Sequence, residues 1–108
     1  MPIKTVVPSF STVEIYMGAI YKGTPTKLSV TAVNDFSLLS ITQDITIILT
    51  PTGIINNQIE LGEIGTVFIN MVESNNILTL SCMNETADTI SVYVQEILSY
   101  GKLACVYI

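Results

Sequence analysis

Between Asn76 and Ile97 the chain reads NILTLSCMNETADTISVYVQEI, with its apolar residues on every second position. Leu78, Leu80 and Cys82 alternate with Thr79 and Ser81. After a polar break from Asn84 to Asp88, Ile90, Val92 and Val94 alternate with Ser91, Tyr93 and Gln95. A period of two marks a strand with one buried face, because successive side chains of an extended backbone point to opposite sides. Two such runs joined by a few polar residues predict an antiparallel hairpin.

The same pattern recurs along the chain. Met1 to Val7 is a short extended segment between Pro2 and Pro8, suited to an edge strand or an arm, since proline cannot donate to a central ladder. From Ser11 to Tyr21, Val13, Ile15, Met17 and Ala19 share one parity, and Gly18 marks a bend or bulge. Lys22-Gly23-Thr24-Pro25 turns the chain, and Leu28, Val30 and Ala32 then face inward from a strand over Thr26 to Asn34. Ser37 to Thr50 is the strongest β segment, with Ile41, Ile45, Ile47 and Leu49 on one face and β-branched residues throughout. Thr50-Pro51-Thr52-Gly53 is a turn. In the weaker segment that follows, Ile59 and Leu61 are the residues expected to be buried. Gly62 and Gly65 frame a loop, and Val67, Ile69 and Met71 alternate with Thr66, Phe68 and Asn70.

One segment reads two ways. Ile90, Tyr93, Val94, Ile97 and Leu98 also fit helical spacing, with Asp88 as a cap. The β-branched Thr89, Ile90, Val92 and Val94 favour a strand over Ala87 to Tyr100. Gly101 ends it, and Leu103 to Ile108 is a last strand or an arm. About eight short strands at spacings of roughly ten residues predict an all-β, antiparallel β-sandwich, jelly-roll-like or Ig-like. Residues 1–108 form one domain, with arms at 1–9 and 101–108.

Composition narrows the function classes. The chain is 49% hydrophobic and only 12% charged, about half the charged share of an ordinary soluble domain. Either neighbouring chains cover part of the surface, or Ser, Thr and Asn supply a neutral one. Its net charge of −5 rests on four lysines and no arginine, so bidentate phosphate or guanine contacts are missing and nucleic-acid binding is not expected. There is no histidine, the usual general base near neutral pH and a common metal ligand. A nucleophilic serine would then need a lysine base.

Pairs of carboxylates three apart, Glu60 with Glu63 and Glu85 with Asp88, fall short of the six to eight oxygens of a tight calcium site. No cofactor or metal is expected. Cys82 and Cys105, 23 positions apart, read as buried thiols, or as a disulfide if their strands are neighbours. No secretory signal or membrane-length apolar run is visible, and Asn84-Glu85-Thr86, a glycosylation sequon, reads as part of a turn. Tyr16, Tyr21, Tyr93, Tyr100 and Tyr107 suit either protein interfaces or sugar stacking, with interfaces preferred.

Four pieces of the chain carry a further resemblance: GTPTKLSVTAVN at Gly23 to Asn34, ITIILTPTG at Ile45 to Gly53, ELGEIGTVF at Glu60 to Phe68, and NILTLSCMNETADTISVYVQEIL at Asn76 to Leu98. Their order resembles that of small tailed-bacteriophage virion proteins, which show a Gly-Thr-x-x-Lys turn, an Ile-rich strand before Pro-x-Gly, and a closing hairpin ending in Glu-Ile. The sequence departs from that pattern at its N-terminus and after Tyr100.

The resemblance implies a non-enzymatic building block located in the virion and assembled in the host cytoplasm. A capsid decoration or cement protein leads, clustered as a homo-oligomer, with a trimer favoured, on the major capsid protein or other virion proteins. A neck, tail or fibre-base component is the alternative, and a carbohydrate-binding module for host attachment is the alternative of another class. No membrane partner is expected. The terminal segments are the expected interface, through Ile3, Val6, Val7, Leu103, Val106 and Tyr107.

Overall fold

The computed structural model describes residues 2–55 and 57–99. Ten strands run through them: β1 (Ile3–Val7), β2 (Ser11–Ala19), β3 (Thr26–Asn34), β4 (Ser40–Ile47), β5 (Leu49–Thr50), β6 (Gly53–Ile54), β7 (Gln58–Glu60), β8 (Val67–Ser74), β9 (Ile77–Asn84) and β10 (Ile90–Ser99). The one helical element among the described residues is a 3-10 turn at Gly62–Ile64. Eight strands build two four-stranded antiparallel sheets, β1-β10-β3-β4 and β2-β9-β8-β7, and β5 and β6 flank the Pro51 turn. The fold is an all-β sandwich.

Its core forms where the inward parities of the two sheets meet. Leu28, Val30 and Ala32 of β3, Ile45 and Ile47 of β4, and Ile90, Val92 and Val94 of β10 face Val67, Ile69 and Met71 of β8 and Leu78, Leu80 and Cys82 of β9. Each fully buried aliphatic side chain contributes about 1.5–3 kcal/mol by leaving water. The segment read both as strand and as helix is β10. Its alternation is satisfied only when odd and even residues go to opposite sides of a sheet.

The wiring is nested. Among the described strands the first pairs with the last and the second with the last but one, in opposite sheets. That excludes the immunoglobulin order, in which the first two strands share a sheet. The nesting also corrects the expected hairpin. Leu78–Cys82 and Ile90–Val94 belong to β9 and β10, which lie in different sheets, so the polar break between them is an arch across the sandwich. The true hairpin partner of β9 is β8, through a two-residue turn at Asn75 and Asn76 with φ of 52° and 65°. Positive φ at both central residues matches the twist of the flanking strands, and asparagine tolerates it better than most residues.

Strand β2 departs from the simple parity. Its pairing with β9 skips Ile15, which bulges between Glu14 and Tyr16. The bulge lies three residues before Gly18, where a bend was expected, and it shifts the inward face from the odd to the even positions. Ile15 stays buried and Tyr16 packs on the core, while Met17, 59% exposed, turns outward with Ala19. Gly18 instead makes room for Tyr16, whose ring carbon Cζ would lie 2.8 Å from a Cβ placed there.

Candidate interaction surface

One end of the sandwich gathers four connections: Pro8 to Phe10, Asp35 to Leu39, Gly62 to Thr66, and the arch from Glu85 to Thr89. The register requires it. Ser11 and Val67 both pair with Asn84, Val7 with Ile90, Ile90 with Asn34, and Val33 with Ser40, so β1, β3, β7 and β9 end where β2, β4, β8 and β10 begin.

Asn84 is the hub of this end. It is buried, and its Nδ2 donates to the carbonyls of Val7 at 3.2 Å, Pro8 at 3.1 Å and Asp88 at 2.8 Å. Its Oδ1 accepts from the Thr86 amide at 2.9 Å and the Thr86 hydroxyl at 2.7 Å. The sequon asparagine is therefore the fastener of the arch, and its amide faces the interior. Asn34 repeats the device on the neighbouring loop, donating to Asp88 Oδ2 at 3.1 Å and accepting from the amides of Phe36 and Ser37. Backbone bonds complete the tie, from Phe10 to the Thr86 carbonyl and from Asp35 to the Thr89 carbonyl. The Ser91 hydroxyl lies 2.9 Å from either oxygen of the Asp35 carboxylate.

This scaffold holds large apolar side chains in water. Phe36 is 85% exposed, Leu38 75%, Phe10 72% and Leu39 57%. Phe10 and Leu38 also have φ of 52° and 62°, and they are the only described residues other than glycine and asparagine in the left-handed region. For bulky side chains that backbone is unfavourable by of order 1–3 kcal/mol, retained only where the surroundings impose it. Beside Phe10 an open hollow of about 450 Å³ is lined by Ser11, Thr12, Met83, Asn84 and Glu85.

Comparison of the chain with protein-family models, curated proteins and solved structures returns no match.

The expected interface residues separate. Ile3 and Val6, 57% and 50% exposed, lie on β1, an edge strand whose outer side has no neighbour among the described residues. Val7 is fully buried beneath the crossing to β2 and belongs to the core, so it offers no surface. The N-terminal arm is, over Ile3 to Val7, a paired strand of the sandwich. Leu103, Val106, Tyr107 and the arm at 101–108 lie outside the described residues, as does Cys105. Cys82 is buried, and its thiol is pushed up to about 11 by desolvation.

Three tyrosines are described, and they do not share a face. Tyr16 is turned between the sheets, Tyr21 lies in the loop at the opposite end, and Tyr93 is on the outer face of its sheet with the Lys4 ammonium 5.9 Å from its ring. No group of three acidic or cysteine side chains able to hold a metal occurs among the described residues. Ser99 and Lys102 have a Ser-x-x-Lys spacing, but Lys102 is outside that set.

Phe10, Phe36, Leu38 and Leu39 escaped the sequence reading. The signal was an apolar Phe-Ser-Leu-Leu run directly after the strand-ending Asn34-Asp35. Its last three residues, Ser37 to Leu39, were read into a strand over Ser37 to Thr50, which begins only at Ser40.

Proposed function

We propose that this chain is a non-enzymatic structural protein of a bacteriophage particle, a capsid decoration or cement protein that binds the assembled shell through the loop end of its sandwich. The carrying observation is the exposure of Phe10, Phe36, Leu38 and Leu39 on loops pinned by Asn84 and Asn34. A rigid apolar surface binds with little loss of conformational entropy, which suits a protein that must dock many times on a repeating lattice. Whatever binds only the assembled state shifts the balance toward assembly.

Two further features support the reading. The turn-and-strand pattern resembles small tailed-phage virion proteins over most of the chain. The outer side of β1, with Ile3 and Val6, has no neighbouring strand among the described residues, and such an edge suits pairing with a second copy in a homo-oligomer on the shell.

Quantitative mass spectrometry of purified particles tests the proposal. The chain should be present at about the copy number of the major capsid protein, and particles lacking it should release their genome at a lower temperature. A handful of copies per particle moves it to the neck or tail. Absence from the particle ends the virion reading.

A further inference from the structure

The loop end is apolar at its tips and carries one sign of charge. Asp35, Glu63, Glu85 and Asp88 lie on three of its four connections, and none of the four contains a lysine. Of the described lysines, Lys22 and Lys27 belong to the opposite half of the sandwich, and Lys4 stands over Tyr93 on the outer sheet face. Apolar residues rimmed by carboxylates discriminate between partners. A second copy presenting the same end brings like charges together, and an anionic lipid surface or a nucleic acid is repelled in the same way.

We propose that this end docks into an apolar hollow rimmed by lysine or arginine on a partner protein, with Phe36, Leu38, Leu39 and Phe10 as the inserting side chains. This deepens the decoration reading and rests on it for the identity of the partner, but its chemistry is read from the loops alone. The apolar side chains supply the affinity and the acidic rim supplies choice of partner and faster encounter. Phe10 and Leu38 fit the role particularly well. In a left-handed backbone glycine or asparagine is the less strained residue, yet these positions carry large apolar groups aimed at solvent.

The test uses the full chain and two synthetic amphipathic peptides of equal apolar content, one built from leucine and lysine, the other from leucine and glutamate. Chemical shifts are followed by NMR. The leucine–lysine peptide should perturb the amides of Phe10, Phe36, Leu38, Leu39 and Glu85, and bind at least roughly tenfold more tightly than the glutamate peptide. Its affinity should fall as salt is raised. Leu38→Asn and Phe36→Ser should each weaken it severalfold without lowering the melting temperature.

Equal binding of both peptides, binding of neither, shifts confined to another surface, or full affinity in Leu38→Asn overturns the proposal. So does stronger binding to phosphatidylcholine vesicles than to the leucine–lysine peptide, because the loops would then be lipid-seeking. The titration needs no particle, so its failure is separable from that of the decoration reading: the chain can be found at capsid copy number and still ignore the basic peptide.

Discussion

The Tyr16 hydroxyl donates to Glu96 Oε2 at 3.0 Å and so joins β2 to β10 across the gap between the sheets. The position follows from two bulges. One at Ile15 turns Tyr16 inward, and the other lies between Glu96 and Leu98. Among the described residues, strand β1 pairs with β10 from Val7 opposite Ile90 to Ile3 opposite Val94. Tyr16 contributes both apolar packing and a polar tie there. Burial and the nearby carboxylate push its phenol up to about 12.

Removing that hydroxyl should weaken the sandwich selectively at moderate pH. Tyr16→Phe keeps the ring and is expected to lose about 1 kcal/mol, a partly exposed hydrogen bond being worth no more. The raised phenol means that the folded state holds its proton more tightly than the unfolded chain. The associated stability is intact below pH 10, the ordinary tyrosine value, and lost as pH rises toward about 12. Urea midpoints measured from neutral pH to that limit should fall less steeply in Tyr16→Phe than in the parent. Parallel curves for the two proteins would remove Tyr16 from the alkaline transition.

Asn84 should be far less replaceable than its neighbours in the arch. Asn84→Ala leaves the Val7, Pro8 and Asp88 carbonyls without their shared donor and is expected to lose about 2–4 kcal/mol. Asn84→Asp should cost more, since a carboxylate facing those carbonyls can only accept. Denaturant unfolding with Ala87→Gly as the exposed control measures the difference. A loss no larger than the control's would show that the arch is held by other contacts.

Much of this fold was legible because alternation reports burial directly. Leu28, Val30 and Ala32 were assigned inward on parity alone and are buried, and Val67, Ile69 and Met71, read as one alternating set, are buried together. Parity says nothing about which sheet a strand joins. The runs around Leu80 and Val92 look like one hairpin in sequence, yet they face each other from opposite sheets. A bulge is equally silent, since Ile15 fits the pattern on either side of the slip. The apolar loop end stayed hidden for a related reason. Leu38 and Leu39 resemble the start of the strand read from Ser37, and only the pairing of Val33 with Ser40 shows that they precede it.

The left-handed loop residues should be replaceable at no cost to folding. Phe10→Asn and Leu38→Asn put a residue more tolerant of that backbone at exposed positions, so thermal unfolding should show stability unchanged or raised by up to about 1 kcal/mol. A loss beyond about 1 kcal/mol in both would mean that these side chains serve the fold, and the case for display to a partner would weaken.

The Cys82 thiol should react only when the sandwich opens. Its full burial and its displacement to about 11 leave almost no thiolate at neutral pH. In a Cys105→Ser background, labelling by a charged disulfide reagent should be slow in water and accelerate with denaturant in step with unfolding. Rapid labelling under native conditions would show that β9 is accessible.

Cryo-electron microscopy of particles carrying the chain tests the docking claim most directly, by showing which end of the sandwich meets its neighbour. The loops bearing Phe10, Phe36, Leu38 and Leu39 are predicted to be buried against a basic-rimmed apolar hollow of the shell. Density in which those loops project into solvent, while another surface makes the contact, would contradict the account.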